Sequence, residues 1–337
     1  MITFNPLNLI KKLNFSDALC NGTVDIFADY EKDIKYIFSG KTAISILLQY
    51  FRTIGAFKNK TSQLLVPPWM GTWVYIMMHK CCFPSLVMNK DIAGIWVYHQ
   101  YGFPQKMELI LDFCDENNLF CIEDCAHALS SFYNGQKLGS FGDAGIFSLA
   151  KFFPSVLGGA IYTKNDRIKS FINKSITTDY SELSQKVFNI RHEVEIDPTA
   201  KNMLKLEQCY AVYDYFSECP DYSLNISKKC MEEKAIEKRK TNYLKIIKEL
   251  EMVSTFYIEL PNKDIAPWVC PLFLPLKTMQ KATQKLSKNG VECGIYHFDT
   301  NRNMLNPKYK KCLIVPCHGQ INDNHLEKII TTIQSVL

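Results

Sequence analysis

The stretch "GIFSLAKFFPSVLGGAIYT", residues 145–163, is apolar apart from a single charge, Lys151. Its length is close to what crosses a bilayer. A lysine near the centre of a span costs roughly 2.5 to 3.5 kcal/mol even on a lenient insertion scale, and Pro154 with Gly158 and Gly159 breaks the helix that a span needs. The run therefore reads as two short buried strands, "GIFSLA" and "GGAIYT", with Lys151 where the first one ends. Lysine is seldom buried without a purpose. The bland account is a side chain that snorkels to water; the sharper one is a partly desolvated amine, neutral and nucleophilic enough to form a Schiff base.

Around this run, from about residue 34 to 165, short β-prone segments alternate with helical patterns: "IKYIF", "TAISILLQYF", "QLLVP", "AGIWVYH", "MELILDFCDENN", "LFCIED". That alternation predicts an α/β fold with a mostly parallel central sheet and helices on both faces. Such sheets bind ligands beyond the C-terminal ends of their strands. Three segments meet there, "SGKT", "EDCAH" and "SLAK". After about residue 200 the pattern changes to a long polar helix ("KKCMEEKAIEKRKTNYLKIIKEL"), "STFYIEL", "WVCPLFLPL", a helix from about 277, "VECGIYHF" and a last helix after "INDN", which predicts a smaller C-terminal α+β domain. The expected division is 1–205 for the large domain and 206–337 for the small one.

Composition limits the function classes. With 337 residues, 47% hydrophobic and 22% charged, the chain is long enough for a sizeable core. The net charge of +5 is dispersed, which speaks against nucleic acid or an anionic membrane as partner. The N-terminus shows no signal-like apolar stretch, so a cytoplasmic location with reduced thiols is expected for the thirteen cysteines. Cys312, Cys317 and His318 come nearest to ligand spacing but lack a second pair, so no metal is expected.

"FSGKTAIS" resembles a nucleotide-binding loop, but the glycine such a loop needs five residues earlier is Lys35. What remains is a strand, a turn and a helix whose N-terminus, with Ser39 and Gly40, can cradle a phosphate or simply be capped. "LFCIEDCAHA" ends a strand on Glu123 and Asp124 and continues to His127. Taken alone the acidic pair reads as a solvated, capping strand end. Taken together, a phosphate cradle, a strand-end carboxylate and a desolvated lysine are the three attachments that pyridoxal phosphate needs.

With these pieces assembled, the chain resembles the DegT/StrS-type sugar-nucleotide aminotransferases, a branch of the fold-type I pyridoxal-phosphate enzymes. The resemblance is strongest in "IEDCAHALSSFYNGQKLGSFGDAGIFSLAK" and is supported by "FSGKTAI", "HQYG", "EKRKTNYL", "GIYHF" and "IVPCHGQINDNHLEKI". It implies that Lys151 holds pyridoxal 5'-phosphate as a Schiff base and that Asp124 pairs with the ring nitrogen. It further implies that His127 lies against the ring or its hydroxyl, and that Gly40, Lys41 and Ser148 hold the phosphate. Trp69, rather than Trp73, is expected to stack on the ring, and Asn189 to complete the phosphate site of a partner subunit in a homodimer. The implied activity moves an amino group from an amino acid, glutamate by analogy, to the keto group of a nucleotide-linked sugar in surface glycan biosynthesis. A small phosphorylated ketone as acceptor, or a non-catalytic regulator on the same fold, are the alternatives. The chain departs from the family pattern in three respects, with two residues rather than four between "FS" and the lysine, "VLGG" where "GEGG" is usual, and an N-terminal region shorter than is common.

Overall fold

A computed structural model describes residues 2–6, 23–30, 33–176, 216–250 and 264–337, together with isolated positions between 186 and 205. Its centre is a seven-stranded sheet in the order β1-β9-β8-β5-β4-β2-β3. The strands are β1 (Ile34–Ile37), β2 (Gln63–Leu65), β3 (Phe83–Ser85), β4 (Ile92–Tyr98), β5 (Phe120–Asp124), β8 (Ala144–Ser148) and β9 (Gly159–Tyr162). Neighbours from β8 through β5, β4 and β2 to β3 pair in parallel, and only β9 runs against its neighbours β8 and β1. The mostly parallel sheet is thus observed.

Alternation along each strand sends successive side chains to opposite faces, and both faces are covered, so a strand such as "IAGIWVY" can be apolar throughout. Trp96, Ile122 and Ile146 lie with Ile44, Leu47, Leu48 and Phe51 of helix α1 (Gly40–Thr53) in one core. Ile95, Val97 and Cys121 lie with Met107, Ile110 and Cys114 of α3 (Met107–Asn117) in another. A short helix α2 (Thr72–Met78) follows β2, and α4 (Asp166–Ser175) follows β9.

Residues 145–163 divide as their composition demands. β8 ends at Ser148, a 3-10 turn spans Leu149–Lys151, and β9 begins at Gly159. Among the described residues no helix is long and apolar enough to cross a membrane.

The C-terminal part holds a three-stranded antiparallel sheet in the order β10-β12-β11, formed by β10 (Val269–Leu272), β11 (Gly294–Asp299) and β12 (Tyr309–Pro316). Four helices surround it: α5 (Asp221–Glu232), α6 (Ala235–Glu249), α7 (Leu276–Lys288) and α8 (Asp323–Gln334). The helical stretch expected over 228–250 is observed, divided into two helices where Lys234 between them takes a left-handed conformation with φ 60. A hairpin, β6 (Phe132–Tyr133) with β7 (Gln136–Lys137), turns through Asn134 and Gly135, both at positive φ. That Asn-Gly signal went unread in the sequence, as did strand β12. "STFYIEL" lies outside the described residues, and so do residues 206–215, against which the expected domain boundary falls. The largest core is continuous across both parts, joining Phe147, Leu149 and Phe152 to Trp268, Val269 and Leu313.

Two glycines let the first turn of α1 meet the strand ends. A Cβ on Gly159 would stand 2.3 Å from the carbonyl carbon of Ser39 and 2.5 Å from the nitrogen of Gly40. Gly159→Ala is accordingly expected to lower stability by about 3 kcal/mol, read as a drop in the urea midpoint with an unchanged slope; an unaltered midpoint would contradict this close approach.

Candidate functional site

The end of β5 carries two adjacent carboxylates that point to opposite sides of the sheet. Glu123 is fully buried. Its Oε1 accepts from the backbone N–H of Phe141 (2.7 Å) and Gly142 (2.9 Å), and its Oε2 from that of Gly139 (2.8 Å). His99, whose Nδ1 accepts from the N–H of Gln105, donates through Nε2 to Oε2 at 3.0 Å. With Cys125 these two residues bring ligand-type atoms within 4.8 Å of one another, but both nitrogens of His99 and both oxygens of Glu123 are already engaged within the fold. Glu123 is a structural anchor for the 139–142 loop. The solvated acidic strand end read from the sequence is corrected here: both carboxylates are buried, because the loop after β7 folds back over the strand.

Asp124, on the other side, accepts from Trp96 Nε1 (3.1 Å) and from the N–H of Ala126 (3.0 Å). Burial raises its pKa, and these hydrogen bonds, with His99 and Lys151 nearby, counteract it. His127 bonds the Tyr98 hydroxyl through Nδ1 at 2.7 Å and stacks on Trp268, with ring centroids 3.9 Å apart and planes at 14°. Burial, then the positive charges of Lys151 and Arg239, push the His127 pKa well down, so the imidazole is neutral. Burial also holds the Tyr98 pKa well up, which makes its hydroxyl the donor to Nδ1. Lys151 Nζ stands 4.6 Å from the Trp268 ring centroid, in the geometry of a cation over an aromatic face.

The third component is the start of α1. Ser39 caps it, its Oγ accepting from the N–H of Thr42 at 3.1 Å. Gly40 lies against the end of β8: a Cβ there would be 3.1 Å from Ser148 Cβ and 3.3 Å from the Phe147 carbonyl oxygen. Gly40 and Ser148 thus come together, with Lys41 next in the chain. Lys41 Nζ lies over the ring of Trp73 at 4.5 Å. Trp69 is stacked instead on His297, and Asn189 is exposed in the sparsely described 186–205 stretch.

These donors fit pyridoxal phosphate. An amine can bind an aldehyde, a buried carboxylate can pair with a protonated ring nitrogen, and a helix N-terminus drawn by glycine against a serine hydroxyl can hold a phosphate.

Sequence reading missed Trp268, Tyr98 and Arg239. Arg239 is fully buried and ties two segments together. Its guanidinium donates to the carbonyls of Pro267 (3.3 Å) and Trp268 (2.7 Å), and to those of Lys151 (3.5 Å) and Phe152 (3.4 Å). It lies 4.6 Å over the Phe152 ring, and burial pushes its pKa down to about 10. A signal for it existed. Ala235, Ile236, Arg239, Tyr243 and Ile246 form the buried stripe of α6, so the arginine occupies an inward helical position.

Glu123→Gln replaces an acceptor of several N–H groups with an amide that also donates, and should cost about 3 kcal/mol of stability; a urea midpoint equal to wild type would remove Glu123 as the anchor. A pH effect follows from His318. It is buried, with Nε2 donating to the Thr3 carbonyl at 3.0 Å, and desolvation pushes its pKa down to about 3. The unfolded chain takes up this proton below about 6.5 and the folded chain only near 3. Stability therefore falls on acidification between those values, by roughly 1.4 kcal/mol per pH unit at most. His318→Gln should flatten that part of the curve of urea midpoint against pH, and an equally steep variant would refute the assignment.

Comparison with known proteins places part of the chain beside aminotransferases. Residues 85–196 match the model of the DegT/DnrJ/EryC1/StrS aminotransferase family. GDP-perosamine synthase of Escherichia coli O157:H7 is 34% identical over 134 residues, 39% of this chain and 35% of that protein. A UDP-N-acetyl-3-dehydro-alpha-D-glucosamine 3-aminotransferase of Acidithiobacillus ferrooxidans is 48% identical over 62 residues, 18% of this chain and 16% of that one. The chain thus aligns with about a third or less of the length of these curated relatives. The fold likeness is wider. Helicobacter pylori PseC, an aminotransferase involved in the biosynthesis of pseudoaminic acid, superimposes with a TM-score of 0.65 at 15% identity over 96% of both chains. DesI in the presence of its TDP-sugar product gives 0.67 at 12% identity, over 98% of this chain and 92% of that one. The segment that matches the family model runs from β3 past Lys151, and over nearly its whole length the chain shares its fold with these aminotransferases.

Proposed function

We propose that the protein is a pyridoxal-phosphate-dependent aminotransferase that moves an amino group from an amino acid, glutamate in the first instance, to the keto group of a nucleotide-linked sugar used in surface glycans. The observation that carries this reading is the convergence of Lys151, Asp124 and His127 with the Gly40–Ser148 contact at one edge of the sheet. Relatives named for GDP-, UDP- and dTDP-sugar amination and for lipopolysaccharide biosynthesis support the acceptor class. A structural neighbour in a PMP form supports the cofactor. A cytoplasmic homodimer, with Asn189 reaching the partner's phosphate site, is part of the same proposal.

When bound, the cofactor supplies an electron sink for the charge left on Cα as its proton departs. The protein's part is to place and move protons. Lys151 carries the amine that takes the proton from Cα of the amino donor and, in the second half-reaction, gives one to the former keto carbon of the acceptor, and Arg239 fixes its turn through the Lys151 and Phe152 carbonyls. Asp124 is the buried counter-charge for a protonated ring nitrogen, oriented by Trp96 Nε1 and the Ala126 N–H. Neutral His127, held by Tyr98, offers its remaining nitrogen to the ring hydroxyl. The α1 start at Gly40 and Lys41, with the Ser148 hydroxyl, is the phosphate cradle. Of the two tryptophans, Trp73, beside Lys41, is better placed than Trp69 to stack on the ring.

Purified protein supplied with pyridoxal phosphate should become yellow, lose the colour on adding glutamate, and be fixed covalently by borohydride in wild type but not in Lys151→Ala. A protein that stays colourless would refute the cofactor assignment. Colour unmoved by any amino acid would refute the transaminase reading.

A further inference from the structure

Trp69 is left unused by the cofactor site, and its surroundings are those of a built platform. It follows β2 in "PPWMGTW", a loop fixed by the Tyr75 hydroxyl, which donates to the carbonyls of Pro67 (3.0 Å) and Pro68 (3.2 Å). The indole is stacked on His297 of β11, with centroids 4.0 Å apart and planes at 17°, and Tyr309 meets it edge-on at 6.4 Å. His297 is itself held, since Gln100 Nε2 donates to its carbonyl at 2.7 Å. Yet Trp69 remains 48% exposed, although imidazole backs one face and Tyr309 meets an edge. Leaving so large an apolar ring exposed on a rigid support is costly unless something covers it.

Position and charge select the occupant. β8, β5, β4 and β2 are consecutive parallel strands with their C-terminal ends on one edge. At about 4.8 Å per strand, the strand before Trp69 lies roughly 14 Å from the strand before Lys151, a length comparable to the reach from a base through ribose and diphosphate to a hexose. Lys311 pairs across the strands with His297 and so shares its face, and it is exposed, as is Lys308 beside Tyr309. A flat aromatic face flanked by lysines matches a base followed by phosphates.

We propose that the open face of Trp69 seats the base of a nucleoside diphosphate-linked substrate, with His297 backing the indole and Lys311 meeting the phosphates. This rests on the acceptor class proposed above and locates its nucleotide end.

The test is calorimetric titration of the full-length protein with UDP, GDP, dTDP and inorganic pyrophosphate, alongside the cofactor spectrum of each preparation. One nucleotide should bind wild type more tightly than pyrophosphate does. Trp69→Ala should weaken that nucleotide by about ten- to a hundredfold and leave pyrophosphate unchanged, and Trp69→Phe, which keeps a stacking face, should recover most of the loss. The seat is overturned if Trp69→Ala binds the nucleotide as wild type does, if it loses nucleotide and pyrophosphate equally, or if it loses the cofactor colour, which would assign the indole to the cofactor. Wild type that is coloured but prefers no nucleotide to pyrophosphate also overturns the seat, while leaving the aminotransferase reading intact. Colourless wild type with a Trp69-dependent nucleotide preference keeps the seat and removes the aminotransferase reading.

Discussion

A carboxylate buried at the end of β5 organises this protein. Glu123 gathers three backbone N–H groups from the 139–142 loop and the imidazole of His99, and in a low-dielectric interior such a set is stable only when complete. The loop leads directly into β8, whose far end bears Ser148 and the Lys151 turn. His99 in turn receives the N–H of Gln105 and fixes the segment after β4. One buried anion therefore sets three strand ends relative to one another. Its neighbour Asp124 faces the other way, into the site, because adjacent strand residues must.

Around Lys151 the same economy is achieved with a buried cation. Arg239 has carbonyls rather than a carboxylate for partners, and those carbonyls belong to the lysine's own turn and to the start of β10. The consequence is a fixed relation between Lys151 and Trp268, and through Trp268 to His127. Among the described residues no acid pairs with it, so the positive charge is felt by its neighbours and contributes to holding His127 neutral. Placement and protonation thus have one source. The C-terminal part supplies the arginine and the tryptophan, so it helps to build the candidate site.

Much of this was legible in the sequence because it depends on local regularities. Alternating apolar segments gave the parallel sheet, and a lone lysine between two apolar strands marked the strand end where the candidate site lies. "SGKT", "EDCAH" and "SLAK" were expected to meet there, and Gly40 does lie against Ser148. The misreadings have physical causes as well. "ED" looked solvated because the loop that buries it comes later in the chain. The break within the 228–250 helical stretch could not be placed because nothing in "MEEKAIEK" marks Lys234 as left-handed; it is neither glycine nor asparagine. Trp69 and Trp73 could not be separated by spacing, since which ring meets Lys41 and which meets His297 depends on contacts with distant segments.

The sequence by itself determined the α/β class, the strand ends at which chemistry gathers, and the residue types able to hold a phosphorylated aldehyde. Periodicity, glycine placement and the cost of burying charge are properties of short segments. Only the tertiary structure decided that Glu123 is an anchor while Asp124 faces the site, that Arg239 fastens the lysine's turn to Trp268, and that Trp69 rests on His297. Those assignments join residues from 16 to more than 200 positions apart, and the energy that selects them, the completion of buried hydrogen bonds and aromatic contacts, exists only once the layers have closed.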